Sequence, residues 1–283
     1  MTAKFDWYQT TFRAKDPQAS GLVSYLLRAF DLSDYVPGRG LNGYHHGAKV
    51  VRGSETLVTL SWGGQPGINV HASAENAPIL AQAVRQFSDD ASIKHTPTRL
   101  DAALDWVEKG LFDTLATRLI DFALAEGLAL DRRGDWDRGI GRTLYLGSRS
   151  SAIYVRLYEK GHEQGFSPFH PLYDWIRFEA EIKPKGAARE LLMDWTPEDT
   201  LSAGWVPAAL TAIGYFHQLK PKSVGTVWRP SSEQRARRAL IKQYGAVLTK
   251  WAAEVGGWDQ LGPEIRESID TMQRERQQLE AAA

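Results

Sequence analysis

The chain has 283 residues, with 34 Lys and Arg against 34 Asp and Glu, no cysteine, and ten each of Trp, Tyr and Phe. That length allows one or two domains with a full hydrophobic core, and the missing cysteines exclude disulfide frameworks, iron–sulfur clusters, thiolate zinc sites and thiol catalysis. A net charge of zero argues against a uniformly basic nucleic-acid coat, and a polar, aromatic start with no apolar run of about 18 residues predicts a cytoplasmic protein.

In chain order, the first 75 residues read mostly as strand. Phe5–Phe12, Gly43–Val51, Thr56–Trp62 and Ile68–Ala72 are aromatic or β-branched, and Gly, Pro and Asn separate them. Helices are expected over Gly21–Phe30 and over Ala77–Phe87, the second capped by Asn76 with proline at its second position. Thr98–Trp106 reads as a strand. The stripe Leu111, Leu115, Leu119, Ile120 and Phe122 then predicts a helix over Glu108–Glu126. Arg142–Gly147 and Ala152–Lys160 form a hairpin, and Trp175–Lys183 is a further strand. Helices follow over Ala187–Trp195, Pro197–Ala203 and Pro207–His217. From Ser231 the pattern is helical to the end, with breaks at Gly256-Gly257 and Gly262-Pro263. The order predicts an α+β fold: an antiparallel sheet with helices packed on one face over residues 1–186, and a helical region over 187–283.

Alternation along three of these strands is the most informative signal. Arg99, Asp101, Ala103 and Asp105 share one face of the first, Tyr154, Arg156, Tyr158 and Lys160 one face of the second, and Arg177, Glu179, Glu181 and Lys183 one face of the third. The opposite faces carry Leu100, Ala102 and Leu104, Ile153, Val155 and Leu157, and Ile176, Phe178, Ala180 and Ile182. Two readings fit. The charges could be cross-strand ion pairs on a solvated sheet face. If the strands are neighbours, the face could instead hold a divalent cation on carboxylate oxygens beside a tyrosine able to attack a phosphodiester, with Arg and Lys clamping the phosphate.

Four ordered segments carry a family likeness: Arg99-Leu-Asp-Ala-Ala-Leu-Asp105, Gly141-Arg-Thr-Leu-Tyr-Leu-Gly-Ser-Arg149, Val155-Arg-Leu-Tyr-Glu-Lys-Gly161 and Arg177-Phe-Glu-Ala-Glu-Ile-Lys183. Together, from about Gly43 to Lys183, they resemble the trans-acting rolling-circle replication initiators of small plasmids and filamentous phages. The resemblance implies a relative of the sheet-centred nickase fold and a metal-dependent nicking–closing enzyme. Such an enzyme cuts one origin strand, becomes linked through tyrosine to the 5′ phosphate, and later rejoins the strand. It further implies Tyr158 as nucleophile, with Tyr154 in reserve, and Lys160 to orient phosphate or stabilise the phenolate. Asp101, Glu179 and Glu181 would be ligands of Mg²⁺ or Mn²⁺, Asp105 a partner of Arg177, and Arg99, Arg149 and Arg156 phosphate contacts. The chain lacks the His-hydrophobic-His triplet of the wider nickase group, so carboxylates would carry the metal. Origin DNA is the implied partner, first double-stranded and then single-stranded, with a host helicase and a second copy of the chain as further candidates. The alternatives are an origin-binding protein without catalysis, a relaxase of a mobile element using the same chemistry, and a metallonuclease that uses water.

Charge is uneven along the chain. Residues 89–137 hold eleven acids against six bases, whereas residues 220–250 hold eight bases and one acid. The basic stretch could be a solvated helical face or a partner or oligomer contact; the family resemblance implies instead that Arg229, Arg235, Arg237 and Arg238 grip DNA through phosphates. Gly38-Arg-Gly-Leu-Asn-Gly43 matches the spacing of a dinucleotide-binding loop, but a β-like segment follows it where that motif needs a helix.

Overall fold

The structure, a computed structural model, describes residues 2–17, 21–31, 34–215, 219–225 and 232–281, the side chains of 232–239 and 275–281 excepted. Its elements in chain order are β1 (Lys4–Phe12), α1 (Leu22–Ala29), β2 (Asp34–Arg39), β3 (His46–Arg52), β4 (Glu55–Trp62), β5 (Ile68–Ser73), α2 (Asn76–Ala91), β6 (His95–Val107), α3 (Leu111–Ala125), β7 (Leu130–Asp135), β8 (Ile140–Gly147), β9 (Ile153–Glu159), α4 (Lys160–Glu163), β10 (Trp175–Ile182), α5 (Ala188–Leu191), α6 (Pro197–Leu201), α7 (Val206–Ala212), α8 (Ser232–Glu254) and α9 (Trp258–Ala281).

The ten strands form one sheet in the order β2-β3-β4-β5-β1-β6-β10-β9-β8-β7, and each neighbouring pair is antiparallel. Two meanders, β2 to β5 and β7 to β9, flank the central trio β1, β6 and β10. Alternation along the central strands sends Leu100, Ala102, Leu104, Val155, Leu157, Phe178, Ala180 and Ile182 to one face, all at 0 % exposure. Leu22 and Leu26 of α1, Leu80 and Val84 of α2, Leu115 and Leu119 of α3, Leu201 of α6 and Leu210 of α7 join the same core. The helices therefore pack on the apolar face, as the alternation predicts, and leave the charged face to other cover.

Strands β2 and β7 were not expected from the sequence. Each lies at an edge of the sheet, contains Gly, Pro or clustered charge, and pairs on one side only, a position that tolerates such residues. The helix expected to be capped by Asn76 contains that residue instead; Glu75 is the cap position, and the Asn76 amide donates to Glu55 Oε1 at 3.0 Å. Gly256-Gly257 separates α8 from α9, but Gly262-Pro263 does not break the chain again. Pro263 lies inside α9, where it forgoes one intrahelical bond near the N-terminal end.

The chain divides into two compact units, Met1–Val227 and Trp228–Ala283, rather than after residue 186. Residues 187–227 belong with the sheet because Leu192, Trp195, Leu201, Val206, Leu210 and Val224 are buried in its core. The second unit is the helix pair α8 and α9, with Ala252 and Leu261 buried. Among the described residues, no helix is long and apolar enough to cross a membrane.

Candidate active site on the charged face of the sheet

The three strands singled out by alternation are neighbours, with β10 between β6 and β9. Their register aligns the polar residues in rows. Asp105, Arg177, Tyr158 and then Thr143 of β8 stand side by side; next come Ala103, Glu179, Arg156 and Tyr145; then Asp101, Glu181, Tyr154 and Gly147. Residues far apart in sequence thus become one lattice, set by strand pairing alone.

The centre of this face is buried. Asp101 and Glu179 are 0 % exposed, Arg177 is 3 % and Tyr158 7 %. Aromatic rings help cover it, with Arg99 over Trp7 at 4.6 Å and Arg177 over Trp175 at 5.1 Å. Buried charges need partners, and here they have them. Arg99 binds Asp101 through Nε at 2.8 Å and reaches Glu181 at 2.8 Å. Arg156 pairs with Glu179 and lies 3.6 Å from Asp101. Arg177 takes both oxygens of Asp105, at 2.7 and 3.0 Å, and Asp6 on its other side. The pairing of Asp105 with Arg177 is as expected. Asp6 escaped the sequence reading because a register shift in β1 between Phe5 and Trp7 interrupts simple alternation there.

The Tyr158 hydroxyl donates to Glu179 Oε2 at 3.2 Å. Burial first, and then the negative charge of Glu179, push this phenol well above its ordinary value. It is therefore held protonated, with a carboxylate in place to receive its proton. Burial raises the Asp101 carboxyl, although Arg99 opposes the shift. Asp105 lies below the usual carboxylate range because bonds from Arg177, Lys4 and Trp175 outweigh its burial. The Arg156 Nε–H is buried without an acceptor among the described residues, so that guanidinium still has donor capacity to give.

Lys160 begins α4 rather than ending β9. Its ammonium pairs with Glu163 and sits 5.6 Å from the centre of the Tyr158 ring, close to the phenol without bonding its oxygen. A close backbone approach fixes α4: a Cβ on Gly161 would lie 2.2 Å from the carbonyl oxygens of both Leu172 and Tyr173. Beside it, Arg142 binds Glu159 and Asp113, which ties β8 and β9 to α3. Tyr154, the reserve tyrosine, stacks on Tyr145 with ring centres 5.4 Å apart. Arg149 is exposed in the β8–β9 turn, where its carbonyl accepts from Lys183 Nζ at 3.3 Å, the ammonium that also pairs with Glu181. Arg229 lies outside the described residues, as do the side chains of Arg235, Arg237 and Arg238.

The expected metal ligands are brought together, but not as a metal site. Both Asp101 oxygens are near Arg99; Glu179 gives one oxygen to Arg156 and the other to Tyr158; Glu181 gives one to Lys183 and the other to Arg99. Three cations, Arg99, Arg156 and Lys183, therefore pair with the three carboxylates, and Arg156 also lines the cavity beside Tyr158. Among the described residues no group of three or more His, Asp or Glu side chains is arranged to hold a metal ion. As arranged, these residues do not fit Mg²⁺ or Mn²⁺, which need free carboxylate oxygens.

Thr143, Tyr145 and His162 also border Tyr158, and the sequence reading passed them over. Alternation along Arg142–Gly147, with Leu144 and Leu146 facing the core, was the signal that could have found the first two.

Residues 95–206 match the family model described as replication initiation factor. The matched segment contains Asp101, Tyr158, Glu179 and Glu181. A structure of a rolling circle replication initiator protein from Geobacillus stearothermophilus is similar at 22% identity, covering 68% of this chain and 80% of that one, with a TM-score of 0.44. No curated protein matches the chain. The match to the replication initiation factor model thus falls on the strands of the charged face, residues 95–206, and not on the rest of the chain.

Proposed function

We propose that this chain is a rolling-circle replication initiator that nicks one strand of origin DNA through Tyr158 and later rejoins it. The observation that carries the reading is the Tyr158–Glu179 hydrogen bond within a buried lattice of alternating carboxylates and guanidiniums. The Tyr158 oxygen attacks the phosphorus as Glu179 takes the phenolic proton. The bond to the 3′ oxygen breaks, leaving a 5′-phosphotyrosine and, after protonation from water, a free 3′ hydroxyl that can prime synthesis. Rejoining reverses the step: a 3′ hydroxyl attacks the phosphotyrosine and the phenol recovers its proton. Negative charge on the phosphate is met by the Arg156 guanidinium, which lines the cavity beside Tyr158, and by the Lys160 ammonium next to the Tyr158 ring. A divalent ion would have to displace Arg99 or Arg156 from its carboxylates, so the steps above use only the chain's own groups.

The test is incubation with supercoiled plasmid carrying the origin, with Mg²⁺ or Mn²⁺ supplied. The expected result is a nicked circle and a covalent protein–DNA adduct, both lost in Tyr158→Phe. Nicking by Tyr158→Phe at the wild-type rate would remove Tyr158 from the reaction. Several cuts without an adduct would point to water as nucleophile, and binding without any cut to an origin-binding protein.

A further inference from the structure

Among the described residues, Phe169 is the only phenylalanine left in solvent. It is 97 % exposed, whereas Phe5, Phe12, Phe30, Phe87, Phe112 and Phe178 are all buried. It stands in residues 164–174, which join α4 to β10. This segment is internally braced. The backbone N–H groups of His170, Tyr173 and Trp175 donate to the carbonyls of Ser167, His170 and Leu172 at 2.9, 2.9 and 3.2 Å. The Leu172 N–H donates to His170 Nδ1 at 3.1 Å, and the His170 ring stacks on Phe166 with centres 3.9 Å apart. Pro168 comes just before Phe169 and Pro171 two residues after it, each with its φ fixed. The ring is thus carried into water on a rigid support.

The foot of the segment adjoins the Tyr158 site. The Phe166 N–H donates to the Gly161 carbonyl at 3.0 Å, and Tyr173 packs on His162 with ring centres 4.4 Å apart. His162 and Glu163 line the cavity of about 300 Å³ that Tyr158 and Arg156 also line. Phe169 is three residues beyond Phe166, a reach of about 11 Å at most, so it stays close to that wall.

A fixed apolar ring at the edge of a strand-cutting site fits the gap between two base pairs. Apolar side chains that enter a base step unstack it and kink the duplex, and an aromatic face replaces the stacking that the opened bases lose. The Tyr158 oxygen must also approach the phosphorus in line with the leaving 3′ oxygen, a geometry more accessible in a strand parted from its complement.

We propose that Phe169 is a strand-opening wedge, which inserts into the origin duplex beside the scissile phosphate and parts the strand that Tyr158 attacks. This rests on Tyr158 being the nucleophile.

The test uses the full chain and supercoiled plasmid carrying the origin. With Tyr158→Phe bound, permanganate should mark unpaired thymines in the origin above the level of the plasmid alone. Adding Phe169→Ala should reduce that reactivity about tenfold or more, the scale of one lost base–aromatic stack, whereas Phe169→Leu should retain most of it, since aliphatic wedges also open base steps. With Tyr158 intact, Phe169→Ala should slow nicking of the plasmid by a similar factor, and nicking of a single-stranded origin oligonucleotide by less than about twofold. The exposed ring contributes little to folding, so the melting temperature should move by no more than about 2 °C. Permanganate reactivity that is absent with Tyr158→Phe, or undiminished by Phe169→Ala, would overturn the wedge, as would equal slowing on the plasmid and the oligonucleotide. A fall in oligomeric mass in Phe169→Ala, read by light scattering, would also overturn it and give the ring to a second copy of the chain. Nicking by Tyr158→Phe at the wild-type rate would instead strike the nucleophile, while the permanganate comparison, which needs no cut, still reads the wedge.

Discussion

Arg156 offers the sharpest test of the charged lattice. Glu179 is buried to 1 % side-chain exposure and meets Arg156 on one oxygen and the neutral Tyr158 hydroxyl on the other. In Arg156→Met it loses its countercharge. Asp101 loses less, since Arg99 still binds it. Arg156 itself is about a third exposed, so removing it recovers little desolvation, and the cost is mainly the stranded Glu179 carboxylate. Breaking a buried pair in this way costs about 3–5 kcal/mol. For a unit of this size that corresponds to a fall in melting temperature of roughly 6–20 °C. Adding Glu179→Gln removes the stranded charge, so the double variant should recover much of the loss. The coupling from the full cycle, measured by urea denaturation, should be about 2 kcal/mol or more. A coupling below about 0.5 kcal/mol would refute the reasoning, because it would mean that solvent screens this face despite its burial.

Three further outcomes are expected. Gly161→Ala places a Cβ against the Leu172 and Tyr173 carbonyls; it should displace α4 with Lys160, lower stability by about 1–3 kcal/mol, and reduce nicking, as thermal melts and the plasmid assay would show. Burial, with Arg85 beside one and Arg99 beside the other, lowers His95 and His71 from 6.5 to about 4. The folded chain keeps both neutral while the unfolded chain protonates them, so their stabilisation is complete above about pH 6.5 and is lost as pH falls towards 4. The loss is up to about 3 kcal/mol each. Urea midpoints at pH 7.5 and 5 should show it, and His95→Gln should flatten the trend; a carboxylate such as Asp105, held below 3.8, contributes only at lower pH. Finally, a protein ending at residue 227 should melt cooperatively with its core intact, because that unit contains the whole sheet and the helices packed on it; broad, non-cooperative melting would contradict this.

What the sequence determined by itself is the sidedness of the central strands. Period-two alternation assigned Leu100, Val155 and Phe178 to the core and Asp101, Arg156 and Glu179 to the other face, because a strand has only two faces and a sheet buries apolar side chains on one. It also put Tyr158 forward as a candidate nucleophile, through the segments that resemble the replication initiators. Alternation carries no information about pairing order, so only the tertiary structure could put β10 between β6 and β9 and bring Tyr158 to Glu179. Edge strands β2 and β7 were hidden because one-sided pairing relaxes the residue preferences that a sequence reading relies on. The state of the carboxylates was likewise undecidable in one dimension. Whether Asp101, Glu179 and Glu181 face a metal or a guanidinium depends on which long side chains the sheet register brings within reach, and in this fold Arg99, Arg156 and Lys183 reach them.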